Sequence, residues 1–283
     1  MDELPRPPDP EAILRRLEWT VLRRLDGLLQ GDYRTLFRGF GLDLADLREY
    51  QYGDDVRHID WNVTARLQTP HIREYHEDRN LTAWFLVDLS PSTAFGGRVL
   101  KQAIAAGFVA ALARTLTRHG NRVGAMLYGT SVDEVIPART GRRHVLHVLH
   151  RMTSRPTVRL ATAGPAKATD LGELLRGAFG VLARRSLVFV VSDFISAPGW
   201  QKPLGQLARR HEVLAVPVHD PLERELPDLG ALTIEDAETG EQLFVDTHDK
   251  RFRKRFVTAA ERRERELRGA LARAGIDCLE LGT

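Results

Sequence analysis

In "DLSPS", Asp88, Ser90 and Ser92 stand at alternate positions directly after the apolar run 81–87. A loop that projects alternate side chains one way brings one carboxylate and two hydroxyls together. These are hard oxygen donors of the kind Mg²⁺ or Mn²⁺ takes. With one charged ligand, a divalent ion held there keeps residual positive charge and open positions for a carboxylate from another chain. "KATDLGELL" adds the Thr169 hydroxyl, and "VVSDF" adds Asp193 at the end of a later strand. The expected metal set is therefore Asp88, Ser90, Ser92, Thr169 and Asp193, with Asp170 beside it. The plainer alternative is that Thr169 caps a helix, Asp193 makes a turn and the serines bond to loop backbone.

A second polar stretch, "GDDVRHIDW", holds Asp54, Asp55, Arg57, Asp60 and Trp61. It reads either as a partner-facing acidic site or as an Asp–Arg hydrogen-bonded loop packed by Trp61. His144, His147 and His150 recur at three-residue steps. On a helix they spread over an arc of about 120°, which fits a polar face better than a transition-metal site. The basic run at 250–255 opens a helix whose Glu261–Arg265 and Glu264–Arg268 spacings suit stabilising pairs four residues apart, so a solvated helix is expected. The phosphate-cradling G-x-x-x-x-G-K-[ST], the G-x-S-x-G elbow and a full dinucleotide fingerprint are all missing. The expectation is a binding module rather than an enzyme. The alternative is a hydrolase using metal-bound water at Asp88.

Stepwise apolar positions place an amphipathic helix over 11–30, and 31–80 is irregular with no sustained period. From 81 onward, continuous apolar strands alternate with helices. Strands are expected at 81–88, 121–129, 186–194 and 212–220, and helices at 98–118, 142–152, 170–183, near 200–210, and at 249–274. "DEVIPA" pairs with the preceding strand, 231–247 forms a hairpin turning at 239–240, and "IDCLEL" is a last strand. The pattern predicts an α/β fold with a mostly parallel sheet and helices on both faces. Ligands of such sheets bind beyond the carboxyl ends of the strands, which puts Asp88 and Asp193 on one rim. Two parts are expected: 1–80 with a tail, a helix and the irregular element, and 81–283 as the α/β domain.

The chain has 283 residues, 43% hydrophobic and 28% charged, which suits a globular protein with a sizeable core. Its formal net charge of +3 is spread among mixed signs, so nucleic acid is not an expected partner. A single cysteine, Cys278, excludes a disulfide framework. The acidic, proline-rich start is unlike a secretory signal, and apolar runs are too short for a membrane span. A cytoplasmic location is expected.

The order of the Asp88, Ser90, Ser92, Thr169 and Asp193 set resembles the metal-ion-dependent adhesion site of von Willebrand factor A domains. More narrowly, "LREYQYGDDVRHIDWNVTAR", "DLSPSTAFG" and "TDLGELL" resemble a bacterial family known as domain of unknown function 58. Its members typically carry Gly-Asp-Asp-x-Arg-x-x-Asp-Trp ahead of an A-like domain. The resemblance covers roughly residues 31–283. It implies a von Willebrand A-like, Rossmann-like domain with an N-terminal extension, and a partner-binding or chaperone-adaptor role with a MoxR-type AAA+ ATPase. The chain departs from the usual adhesion-site pattern at Pro91, where Gly is frequent, and at Thr93, where Met is common. Neither change removes a ligand, although Pro91 stiffens the loop.

Overall fold

A computed structural model describes residues 46–51, 56, 59, 61–74, 81–97, 99–154, 169–237 and 240–283. The expected helix at 11–30 and residues Asp54, Asp55, Arg57 and Asp60 lie outside the described residues. The chain divides into two compact units with a boundary before Leu81.

In the first unit, β1 (Asp46–Glu49) pairs antiparallel with β2 (His71–Glu74), and α1 (Trp61–Leu67) lies between them in sequence. In the sequence this stretch shows no sustained period. Four-residue strands and a two-turn helix are too short to leave a hydrophobic period. Trp61, expected as a packing residue, opens α1 and is 70% exposed.

The second unit is mixed α/β. In chain order its elements are β3 (Thr82–Asp88), α2 (Lys101–Arg118), β4 (Arg122–Tyr128), β5 (Val132–Arg139), α3 (Arg142–Thr153), α4 (Leu171–Val181), β6 (Leu187–Ser192), α5 (Gln201–Ala208) and β7 (Glu212–His219). They continue with β8 (Ala231–Glu235), β9 (Gln242–Asp246), α6 (Lys250–Ala274), β10 (Asp277–Cys278) and β11 (Leu281–Gly282). The central sheet runs β10–β7–β6–β3–β4–β5, with β11 also on β7. All its pairings are parallel except β4–β5.

Both faces of the sheet are covered. On one, Trp84, Leu86, Met126, Val188 and Val190 pack with Leu174 and Leu175 of α4, Leu204 of α5 and Leu271 of α6. On the other, Phe85 and Phe189 stack at 5.0 Å, and Phe108 of α2 meets both rings edge-on at 6.5 and 6.0 Å. Strands buried on both sides read as unbroken apolar runs, and β3 and β6 do so. α2 is alanine-rich, and alanine has no side-chain rotamer freedom to lose in a helix.

The expected final strand is in two pieces. The break falls at Leu279–Glu280, where Glu280 pairs with Arg268 at 2.9 Å and Arg224 at 3.2 Å. Before it, α6 ends on Gly275 in the left-handed conformation at φ 65°. Gly275 N donates to Ala272 O and Ile276 N to Leu271 O, the helix stop a glycine permits. β8 and β9 form the expected antiparallel hairpin.

Candidate functional site

β3 and β6 are adjacent and parallel, so their carboxyl ends meet at one rim. Asp88 closes β3 and is 1% exposed. Its Oδ1 accepts Ser90 N at 2.9 Å, and its Oδ2 accepts Ser192 Oγ at 2.7 Å. Ser90 and Ser92 are buried, with their hydroxyls 3.1 Å apart. Thr93 Oγ1 donates to Ser90 O at 2.7 Å, so the loop carbonyl is satisfied by Thr93. Pro91 begins the short 3₁₀ turn Pro91–Ala94 that carries Ser92, a position where its fixed φ suits the turn.

Asp193 follows β6. Its Oδ1 accepts Ile195 N at 2.9 Å, the turn the plainer alternative anticipated. Its Oδ2 takes the ammonium of Lys101 at 2.7 Å. The next residue, Phe194, sits at φ 56°, a conformation that carries strain for a non-glycine residue. Two contacts hold it there: its N–H donates to Ser192 Oγ at 2.9 Å, and its ring meets Trp200 edge-on at 5.4 Å.

Thr169 is buried just before α4. Its carbonyl accepts Ala197 N at 2.8 Å and Ser196 Oγ at 3.0 Å, which fastens it to the loop carrying Asp193. Residue Asp170 occupies the helix-cap position without a side-chain capping bond. The orphan amides go elsewhere: Leu171 N to Ser196 Oγ at 2.8 Å, and Asp170 N to Tyr128 Oη at 3.0 Å. The Asp170 carboxylate pairs outward with Arg176 at 2.8 Å.

Burial raises the Asp88 carboxyl from 3.8 to about 7, with the charge of Asp193 as the second cause, and hydrogen bonds from Ser90 and Ser192 only partly oppose them. The rim is therefore short of positive charge at Asp88. The donors are a carboxylate, two facing hydroxyls and a second carboxylate across the strand ends, a set whose chemistry fits Mg²⁺ or Mn²⁺.

Sequence reasoning missed Ser192, Ser196, Lys101 and Glu223. Ser192 lies inside "VVSDF" and Lys101 at the head of an alanine-rich helix, and neither spacing signals its role. Lys101 is 1% exposed and also donates to Glu223 Oε1 at 2.6 Å. Burial pulls its ammonium down, but Asp193 and Glu223 outweigh that and hold it above the ordinary lysine value. Beside Asp193 a cleft of about 310 Å³ opens toward α6, with Phe194, Trp200, Val218 and Leu267 among its lining.

The other sequence candidates resolve as follows. His144 Nε2 donates to the Val123 carbonyl at 2.7 Å, and His150 hydrogen-bonds to Ser154 at 3.0 Å, which commits two of the three rings. On α6, Arg268 pairs with Glu264 at 2.7 Å, as the spacing predicts. Arg265 instead donates to the Glu261 carbonyl at 3.3 Å. Among the described residues, no group of three or more His, Cys, Asp or Glu side chains clusters as a metal site, and no helix is long and apolar enough to cross a membrane.

A family described as "Protein of unknown function DUF58" matches residues 46–266. An uncharacterized protein of Mycobacterium tuberculosis is 40% identical over 230 residues, covering 81% of this chain and 71% of that one. A shorter uncharacterized protein of Mycobacterium avium is 35% identical over 148 residues, covering 52% and 84% respectively. Among solved structures, the conserved hypothetical protein BatB from Bacteroides thetaiotaomicron aligns with a TM-score of 0.46 at 12% identity, covering 72% of this chain and 91% of that one. An aerotolerance-related membrane protein from Bacteroides fragilis aligns with a TM-score of 0.45 at 10% identity over the same shares.

Proposed function

The chain belongs to the DUF58 family, and from that premise we propose that it is a divalent-cation-dependent protein-binding module of von Willebrand A type. Asp88, Ser90, Ser92 and Thr169 would hold Mg²⁺ or Mn²⁺, with Asp193 acting directly or through water. The observation that carries this reading is Asp88. A buried carboxylate faces a second acid's charge, receives only neutral donors, and stands beside two hydroxyls 3.1 Å apart. A cation there would relieve the repulsion and keep positions open for an acid from a partner.

Apolar surface beside the rim supports docking. Phe95, Val99 and Leu100, in the loop that follows the two serines, are 42%, 42% and 43% exposed. Such side chains supply affinity around a central polar contact. The partner we propose is a MoxR-type AAA+ ATPase, or another protein that offers an aspartate or glutamate to the metal, with the chain as adaptor in the cytoplasm.

The test begins with heat. Millimolar Mg²⁺ or Mn²⁺ should raise the melting temperature of the wild type by mass action, and Asp88→Ala should abolish the shift. Binding to a purified co-encoded ATPase should weaken in EDTA and in the Ser90→Ala, Ser92→Ala double variant. An equal thermal shift in Asp88→Ala removes the site. Affinity for the ATPase that ignores both EDTA and the serine changes removes the rim as the docking surface.

A further inference from the structure

Lys101 is the least expected residue of the rim. It is the first residue of α2, yet its side chain is 1% exposed. Its ammonium bridges Asp193 Oδ2 at 2.7 Å and Glu223 Oε1 at 2.6 Å. The three groups come from three places: the head of α2, the end of β6 and the short 3₁₀ turn Pro221–Glu223 after β7. Glu223 is fixed independently of the lysine, because its Oε2 accepts Asp220 N at 3.0 Å. The ammonium is thus shared between a carboxylate of the candidate cation site and a carboxylate outside it.

We propose that Lys101 is a tethered counter-ion that competes with a divalent cation for Asp193, and that Glu223 is the berth that keeps the ammonium paired when Asp193 turns to the metal. This rests on the cation-site reading above. A buried ammonium needs a charged partner, since an unpaired one is strongly destabilising. Two cations on one carboxylate repel each other, more so in a low-dielectric interior than in water. Glu223 lets Lys101 yield Asp193 without becoming unpaired. The resting site is then weaker for metal than its oxygen donors alone would make it. Loading is also linked to the head of α2, where Lys101 N donates to Phe95 O at 3.0 Å and so ties the exposed apolar loop to the same residue.

The experiment measures Mn²⁺ binding to the chelator-treated full chain from the paramagnetic resonance signal of free Mn²⁺. It compares wild type, Asp88→Ala, Lys101→Met, Glu223→Gln and the Lys101→Met, Glu223→Gln double variant. Lys101→Met should bind Mn²⁺ about tenfold or more tightly than wild type, while melting lower without metal. Glu223→Gln should bind more weakly than wild type, and its effect should shrink severalfold in the Lys101→Met background. Lys101→Met that binds no better than wild type, while Asp88→Ala loses binding, overturns the competition and leaves the cation site standing. An equal Glu223→Gln effect in both backgrounds overturns the berth. Absence of Mn²⁺ binding in all five proteins overturns both this inference and the cation reading. Circular dichroism reports folding. If Lys101→Met does not fold, Glu223→Gln decides alone: weaker binding supports the proposal and unchanged binding overturns it.

Discussion

Ser192 joins the ends of two neighbouring strands, with its Oγ donating to Asp88 Oδ2 at 2.7 Å and accepting Phe194 N at 2.9 Å. One hydroxyl on β6 therefore orients the carboxylate that closes β3 and braces the left-handed turn that follows Asp193. Ser192→Ala leaves a buried N–H and a buried carboxylate oxygen short of a partner. Urea unfolding should show a loss of about 1–3 kcal/mol. A loss under about 0.5 kcal/mol, the size of an ordinary surface substitution, would mean the turn holds without it.

Asp88 gives the chain a pH signature. Its carboxyl stands at about 7 in the folded state against an ordinary aspartate value of 3.8, so the folded chain binds the proton more tightly than the unfolded one. The destabilising contribution is complete above about pH 7 and disappears as pH falls toward 4. Asp88→Asn removes the charge. In EDTA it should melt above the wild type at pH 8, with the gap narrowing markedly by pH 5. A gap that is constant over this range would show that Asp88 does not titrate within it.

His211 has the opposite sign. It is 4% exposed and neither ring nitrogen has a hydrogen-bond partner among the described residues. Burial, then the charge of Arg210, lowers its pKa from 6.5. Stability from a depressed histidine is present above its unfolded pKa and is lost as pH falls through 6.5 and below. His211→Phe keeps a ring in the space and removes both orphaned nitrogens. Its melting temperature should fall less than that of wild type between pH 7 and pH 5. Parallel pH curves would show that the buried imidazole stays neutral without cost.

Gly124 is a packing requirement. It lies opposite Trp84 in the β3–β4 register, and a Cβ added to it would fall 2.7–2.9 Å from three atoms of the indole ring. Gly124→Ala must displace Trp84 from a core that is already dense, and overpacking of this kind typically costs about 1–3 kcal/mol. A variant as stable as wild type would show that the indole can move aside freely.

The layout of the α/β unit was legible because its signals are local. A strand buried on both faces must be apolar throughout, and "LTAWFLVD" and "SLVFVVSDF" are. The amphipathic or alanine-rich stretches between them had the length of helices. The same logic placed Asp88 and Asp193 at strand ends, because each acid interrupts an apolar run. It failed where elements are too short to repeat, as in β1, α1 and β2, and where side chains from elsewhere meet a break in an element, as Arg224 and Arg268 do at Glu280 between β10 and β11.

The sequence by itself determined which residues carry oxygen donors and in what order they occur. It could not assign their partners, because those choices are made by strand order and by loops distant in the chain. Parallel pairing of β3 with β6 brings Ser192 to Asp88. The loop after β6 supplies Ser196 to the Leu171 amide at the helix start that Thr169 caps in the plainer alternative. Lys101 had no local reason to be buried, since at the head of a helix a lysine ordinarily extends into water. Only the convergence of β6 and the turn after β7 places two carboxylates within 2.7 Å of its ammonium, and their combined attraction is what outweighs the loss of hydration.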